Sequence, residues 1–384
     1  MTNPGLHIGR RLLHNKGTLF GLIVIALSLV VALCAYFIAP DPSPNANRII
    51  VEIGGRRPGF QQLFLLLPKE RSPSGVSFFG RLLNGREDAF DYIPINSYVV
   101  TGDSLIVQKF VDEDVEERRS YAIAGSRPNN SNNPSSPTLS TPLLRHSGPD
   151  YLASNTYQIK TQTFWLGTDK YGRDILSRLL IGVRVSLAVG LVTVLLSLSV
   201  GVLLGSLAGY FRGRVDEIIL WLVNVIWSIP TLLLVFAIML VLGKGFWQVF
   251  IDIGLTLWVN VARIIRGQVL AAKEREYVEA ARALGYSHSR ILFRHILPNV
   301  MGPVWVVAAS NFASAIVIEA GLSFLGVGVQ PPQPSWGLMI KENYNFIITH
   351  NPMLALAPGL AIMLLVLAFN MLGNGLRDVL NVRV

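Results

Sequence analysis

Apolar residues in this chain collect into long runs without charge, a pattern that neither a half-buried strand nor a soluble amphipathic helix requires. The run from Thr18 to Ala39 is about 22 residues long, enough for a helix to cross a bilayer core. Val185 to Tyr210, Ile218 to Leu242, Met301 to Gly326 and Met353 to Leu372 read the same way. Trp247 to Ala262 is shorter and weakly apolar, but a crossing there is needed to bring Arg263 and Arg266 back to the side of the other basic segments. Pro230, in the sequence WSIP, predicts a kink inside the third run, because proline removes a helical hydrogen bond. The pattern predicts an all-α polytopic membrane protein with six transmembrane helices.

Small residues recur every four positions at Gly182, Ser186 and Gly190, and again at Gly201, Gly205 and Gly209. That spacing lets helix backbones approach closely inside a bundle. Residues 164–174 read FWLGTDKYGRD and lead into apolar positions at helical spacing: Ile175, Leu176, Leu179, Leu180 and Val183. With Arg173, Arg178 and Arg184 among them and Trp165 beside them, this predicts a helix lying at the outer membrane surface. Asp169 and Asp174 flank Gly172 but are too few to hold calcium, and are read as helix-capping and ion-pairing groups.

Residues 41–160 are of a different kind. Residues 48–53 (RIIVEI) and 104–109 (SLIVQK) have strand-like content. Thr101, Gly102 and Asp103 signal a turn, and Ser126 to Pro142 is a Ser/Asn/Pro-rich loop without core potential. A small α+β domain outside the membrane is expected, since long loops translocate regardless of charge. The chain thus divides into an N-terminus and first helix (1–40), an extracytoplasmic insert (41–160) and a membrane core (161–384).

Composition agrees with a membrane protein: 51% of the 384 residues are hydrophobic and 15% are charged, against about a quarter charged in soluble domains. The formal net charge of +9 raises the question of nucleic acid. The basic residues instead cluster at span ends, as the positive-inside rule requires, so nucleic-acid binding is excluded. Seven Lys/Arg lie between Arg263 and Arg294, whereas the short loops on the other side carry only Lys244 and Lys341. Arg10, Arg11 and Lys16 before the first span, and Arg377 and Arg383 after the last, put both termini in the cytoplasm. The first span is longer than a signal-peptide core and is read as uncleaved. Cys34, the single cysteine, excludes an intrachain disulfide. The six histidines are scattered without metal-ligand spacing. The one Gly-Lys pair, Gly243-Lys244, is followed by glycine, so there is no phosphate-binding loop. If ATP drives this chain, another chain hydrolyses it.

The remaining charged stretch, Glu276 to Pro298 (EYVEAARALGYSHSRILFRHILP), sits between two apolar runs. Its first half is rich in strong helix formers. On a helix, Tyr277, Ala280, Ala281 and Leu284 share a face, and Glu279 is within reach of Arg275 and Arg282. Gly285 suits a left-handed helix end. Ser287 offers an N-cap to a second helix, which Pro298 is expected to stop. Glu279, Ala280, Ala281 and Gly285, followed at a distance by Ile296, Leu297 and Pro298, resemble the cytoplasmic coupling motif of ABC importer permeases. EAARALG with FRHILPN is similar to the dipeptide/oligopeptide/nickel branch. So are the LGTDKYGRD element and the segment from Leu322 to Gly337 (LSFLGVGVQPPQPSWG), whose prolines predict a rigid outer loop.

The resemblance covers residues 160–384 closely and the first span loosely. It implies a type I ABC importer permease fold in a bacterial inner membrane, with residues 263–300 as the cytoplasmic coupling loop. It also implies a second homologous permease, two ABC ATPase subunits that hold ATP and magnesium, and an extracytoplasmic substrate-binding protein. This chain would be a transport subunit and not an enzyme, with no cofactor of its own and lipid around it. The insert departs from the family, and is read either as a contact for the binding protein or partner permease or as a decoration.

Asn311, Ser314, Glu319 and Ser323 place polar groups within the fifth span, and Glu319, read as the only clear acidic residue in a span, lies about 27 Å along it. These four are candidates for the translocation path or its gate; Glu319 is alternatively a structural partner of Arg178 or Arg184. An ion-coupled secondary transporter using Glu319 is the rival function, although the halves show no inverted repeat. A structural or sensory protein is a third reading, favoured only by the insert. Among importer substrates, di- and oligopeptides are expected ahead of nickel or another small solute, since no Cys/His/Met cluster is present.

Overall fold

The computed structural model of this chain describes residues 11–69, 77–101, 104–112, 115–124, 151–153, 157–243, 245–348 and 351–381. The Ser126 to Pro142 loop, Gly102 and Asp103 of the expected turn, and the terminal Arg10 and Arg383 lie outside these residues. The chain forms two units, residues 40–176 and residues 1–39 with 177–384.

The first unit is built on a six-stranded sheet in the order β5-β4-β3-β2-β1-β6. Its strands are β1 (Phe60–Pro68), β2 (Phe90–Thr101), β3 (Ser104–Asp112), β4 (Val115–Ala124), β5 (Tyr151–Ala153) and β6 (Gln158–Phe164). β1 pairs antiparallel with both β2 and β6 and is buried on both faces. Phe64 and Leu66 pack with Phe110 and Phe164 on one side, while Leu65 packs with Ile95, Leu105 and Val107 on the other. Double burial explains the unbroken apolar run Leu63 to Leu67 within β1.

Residues 48–53 are not a strand, and Val51–Ile53 form a 3₁₀ turn. Arg48 is held by Asp88 through two 2.7 Å hydrogen bonds, and the Ile50 amide donates to Tyr171 O at 3.0 Å, so local tethers replace a ladder. Asp169 folds onto the Tyr171 and Arg173 amides at 2.9 and 3.0 Å and pairs with Arg173 Nε at 2.6 Å. Ion pairing and a local turn therefore account for Asp169, which caps no helix, since α3 begins only at Ile175. Gly172, at φ +75°, passes so close to the Ile50 carbonyl that a Cβ there would overlap it.

The second unit is helical. Its elements are α1 (Lys16–Ile38), α3 (Ile175–Phe211), α4 (Gly213–Trp227), α5 (Thr231–Leu242), α6 (Phe246–Lys273), α7 (Glu276–Ala283), α8 (His288–Leu325), α9 (Trp336–Asn343) and α10 (Met353–Asn381), with α2 (Phe78–Asn84) left in the sheet unit. Among the described residues five helices are long and apolar enough to cross a membrane, or six if α4 and α5 count as one span.

Four expectations are corrected. The segment before the second span is no separate surface helix, because α3 runs unbroken for 37 residues. Its basic face is buried: Arg178 pairs with Glu342 at 3.1 Å, and the Trp336 indole donates to Leu179 O at 3.0 Å over Gly182. At Pro230 the chain makes a 99° bend rather than a kink, with residues 228–230 between the helices. The fourth span is not short, since α6 carries through Arg263 and Arg266 to 28 residues. Pro298 does not stop its helix. A π turn over Ile291–Ile296 precedes it, with Leu297 N–H reaching back to Leu292 O, and this wider turn accommodates a ring that would otherwise press on the Arg294 carbonyl.

The glycine repeat acts as expected. Gly201, Gly205 and Gly209 of α3 press against Trp258 to Val269 of α6, and a Cβ at Gly205 would lie 2.4 Å from Ala262 O. Gly205→Ala should therefore cost about 1–3 kcal/mol through overpacking. Gly267→Ala, where a Cβ meets nothing within 4 Å, should gain roughly 1 kcal/mol of helix propensity. Thermal unfolding in detergent checks the opposite signs.

Candidate functional site

The segment after α6 is a short helix mounted on a fixed base. α7 buries Val278 and Ala281 against Ile265, Val269, Ile291 and Ile296, so these two anchor it. Burial of Val278 contributes on the order of 2 kcal/mol. Ala281 thus faces inward, away from the face on which it was grouped with Tyr277, Ala280 and Leu284. Those three are exposed, Leu284 by 70% and Tyr277 by 40%, and they form an apolar knob.

The end of α7 is a two-bond left-handed cap. Gly285, at φ +74°, donates to Arg282 O at 2.9 Å, and Tyr286 N–H reaches Ala281 O at 3.2 Å. This is the Schellman pattern, and it fixes the angle at which the chain leaves the helix. Tyr286 then stacks on His295 and under Arg290, and Tyr210 Oη meets His288 Nδ1 at 2.9 Å. Ser287 occupies an N-cap position without a side-chain cap bond. Ile296 and Leu297 are buried beneath the segment, while Pro298 is exposed. Glu279 is exposed, and among the described residues its carboxylate pairs with neither Arg275 nor Arg282.

The four polar positions of α8 are spread along it. Asn311 is buried and donates to Ser197 Oγ at 3.3 Å and Leu257 O at 3.5 Å, bridging α3 and α6. Ser314 is half-buried. Glu319 is fully enclosed, and its Oε1 accepts from Ser323 Oγ at 2.6 Å and Ser335 Oγ at 2.7 Å. Ser323 Oγ also accepts the Val329 amide at 2.9 Å, so the cluster clasps the Gly- and Pro-rich loop onto α8. Arg178 pairs with Glu342, and Arg184 lies over the Tyr36 ring at 5.1 Å. Glu319 is instead held by hydroxyls.

Glu319 is not the only acidic residue in a span. Asp252 of α6 is completely buried, and among the described residues neither of its carboxylate oxygens has a hydrogen-bond partner. Its signal in the sequence was one charge inside a run already judged weak, in step with Thr256 and Asn260 at four-residue intervals. Among the described residues no group of His, Cys, Asp and Glu is placed to hold a metal ion.

Residues 201–384 match the family described as binding-protein-dependent transport system inner membrane component. The oligopeptide transport system permease protein OppC of Bacillus subtilis (strain 168) is 42% identical over 217 residues, 56% of this chain and 71% of that protein. The glutathione transport system permease protein GsiD of Pectobacterium atrosepticum is 43% identical over 56% of this chain and 72% of its own length. The dipeptide transport system permease protein DppC of Alkalihalophilus pseudofirmus is 40% identical over 241 residues, 62% of this chain and 79% of its own length. Among solved structures, an inward-facing form of the MetNI methionine ABC transporter aligns with 53% of this chain and 97% of its own, at 20% identity and a TM-score of 0.43.

The Glu319 cluster separates two substitutions. Glu319→Ala strands two buried hydroxyls and should cost about 2–4 kcal/mol, whereas Glu319→Gln keeps an acceptor and should cost roughly 1 kcal/mol or less. Detergent melting curves of the two variants should be clearly separated.

Proposed function

This chain belongs to the dipeptide/oligopeptide branch of binding-protein-dependent ABC importer permeases, and we propose that it forms half of an ATP-driven translocation path for di- and oligopeptides. As a permease subunit it is a transport component and not an enzyme, and it works with an ATPase and a substrate-binding protein in the inner membrane. The fuller assembly of the proposal has a second homologous permease, two ATPase subunits holding ATP and magnesium, and a type I arrangement. Both termini and the 263–300 loop face the cytoplasm, following the basic residues of that loop.

The observation that carries the proposal is the exposed knob of Tyr277, Ala280 and Leu284, with Glu279 beside it, on a helix anchored by Val278 and Ala281. An apolar knob ringed by charge suits a groove on a partner protein. The cap at Gly285 and the buried Ile296 and Leu297, ahead of Pro298, make the knob move as one piece with α8. Closure of the ATPases would push α7, and α8 would carry the displacement to the Glu319 clasp at its far end. Asn311, Ser314, Glu319 and Ser323 then act along the path and its gate: Glu319 and Ser323 hold the outer loop in register, and Asn311 holds α3 against α6. An ion-coupled carrier has no support from the relatives, and their names point to peptides and glutathione ahead of nickel.

Glu279→Lys inverts an exposed charge that forms no ion pair among the described residues. The expected result in the purified complex is normal insertion and stability, with ATP-driven uptake reduced about tenfold or more. Gly285→Asn should retain more coupling than Gly285→Val, since asparagine tolerates the left-handed region. Wild-type uptake by Glu279→Lys and Gly285→Val would remove the coupling assignment.

A further inference from the structure

The break between α4 and α5 opens a notch of about 320 Å³, in which the polar Ser228, Thr231, Thr256 and Asn260 are set among apolar side chains such as Ile229 and Leu257. Non-helical backbone at membrane depth is tolerated only where protein buries it or water reaches it. Ser228, Thr231 and Asn260 are exposed beside Trp227 and Ile229, so three polar side chains stand open on this face where a purely lipid-facing surface would carry none.

The notch belongs to a longer pattern on α6. At 100° per residue, Asp252, Thr256, Asn260 and Arg263 fall within an arc of about 80°. One end of this stripe is the enclosed carboxylate of Asp252, with no hydrogen-bond partner among the described residues. The other is the exposed guanidinium of Arg263, stacked 3.8 Å over the Trp227 ring at the edge of the notch. A hydroxyl and an amide lie between them. The rise of the helix separates the two charges by roughly 16 Å along its axis. An extended peptide of about four or five residues spans that distance.

We propose that this stripe and the notch beside it form a bipolar track for a zwitterionic oligopeptide. Asp252 meets the amino-terminal ammonium, Ser228, Thr231, Thr256 and Asn260 exchange hydrogen bonds with the peptide main chain, and Arg263 takes the carboxylate. Val235 and Met239 of α5 share a buried cluster with Val249 and Ile253, the neighbours of Asp252 along α6, and Asp252 itself is buried, so a peptide reaches it only when this packing opens. A buried carboxylate without a partner is costly in a bilayer, and the arriving ammonium supplies the missing countercharge. The inference rests on the peptide-importer reading and adds to it the solute's charge pattern and the residues that read it.

The test uses the whole complex in proteoliposomes, saturated with its binding protein and supplied with a tetrapeptide bearing free termini. Asp252→Asn and Asn260→Ala should each lower uptake about tenfold, while ATPase activity stimulated by the loaded binding protein stays within about twofold. Asp252→Asn should melt no lower than wild type, and Asp252→Glu should keep most of the uptake. A benzophenone-bearing tetrapeptide should cross-link within residues 226–231 or 256–263. Full uptake by both variants, or adducts confined to residues 311–323, would overturn the track. A lower melting temperature with parallel loss of ATPase in Asp252→Asn would make Asp252 structural and also overturn it. If the wild-type complex takes up no peptide on ATP addition, the importer reading itself fails and the track falls with it.

Discussion

The approach of α3 to α6 at Gly201, Gly205 and Gly209 is the contact on which the membrane unit depends. In a bilayer, apolar side chains gain little from leaving lipid for protein, so helices associate through close packing and satisfied polar groups. Three glycines one turn apart let the α6 backbone come within van der Waals reach of α3. With α6 fixed there, Ile265 and Val269 become the seat for Val278 and Ala281 of the coupling helix. The opposite polar stripe of α6 is thereby held against the bend between α4 and α5. One packing seam positions both the surface offered to a partner and the surface offered to solute.

Buried polar groups do the complementary work at the ends of the helices. The Glu319, Ser323 and Ser335 cluster ties a loop that prolines forbid from continuing the helix. Arg178 and Glu342 tie the start of α3 to α9, and Arg266 and Asp216 tie α6 to α4 through two bonds of 2.5 and 2.6 Å. Such pairs add little net stability against apolar replacements but fix one arrangement among several. α8 connects the two systems, since it begins beneath the coupling helix and ends at the Glu319 cluster.

Much of this was legible in the sequence, and the rest was hidden for identifiable reasons. Hydrophobic runs located the long helices, the four-residue glycine spacing located the seam, and Gly285 announced its left-handed turn. Each is a local property. Pro230 announced a disturbance, but a 99° bend is set by what packs on either side. Pro298 reads as a stop because proline opposes α geometry, yet a preceding π turn absorbs it. Ala281 was grouped with Tyr277, Ala280 and Leu284 because it lies at the border of two faces, and only the position of α6 decides which one is buried. Arg178 suggested a membrane-surface anchor, whereas its partner Glu342 is distant in sequence. Asp252 was overlooked because one charge in a weak span resembles noise until its stripe with Thr256, Asn260 and Arg263 is seen beside a notch.

Whether the exposed face of α7 seats on an ATPase chain can be read from a photocross-linker placed at Leu284. Leu284 points away from the fold and is 70% exposed, so the probe leaves the anchors of α7 untouched. The expected result is an adduct between this chain and a copurifying ATPase subunit, with a yield that changes when ATP is trapped in the complex. An active complex in which Leu284 captures only lipid, or nothing, would contradict it.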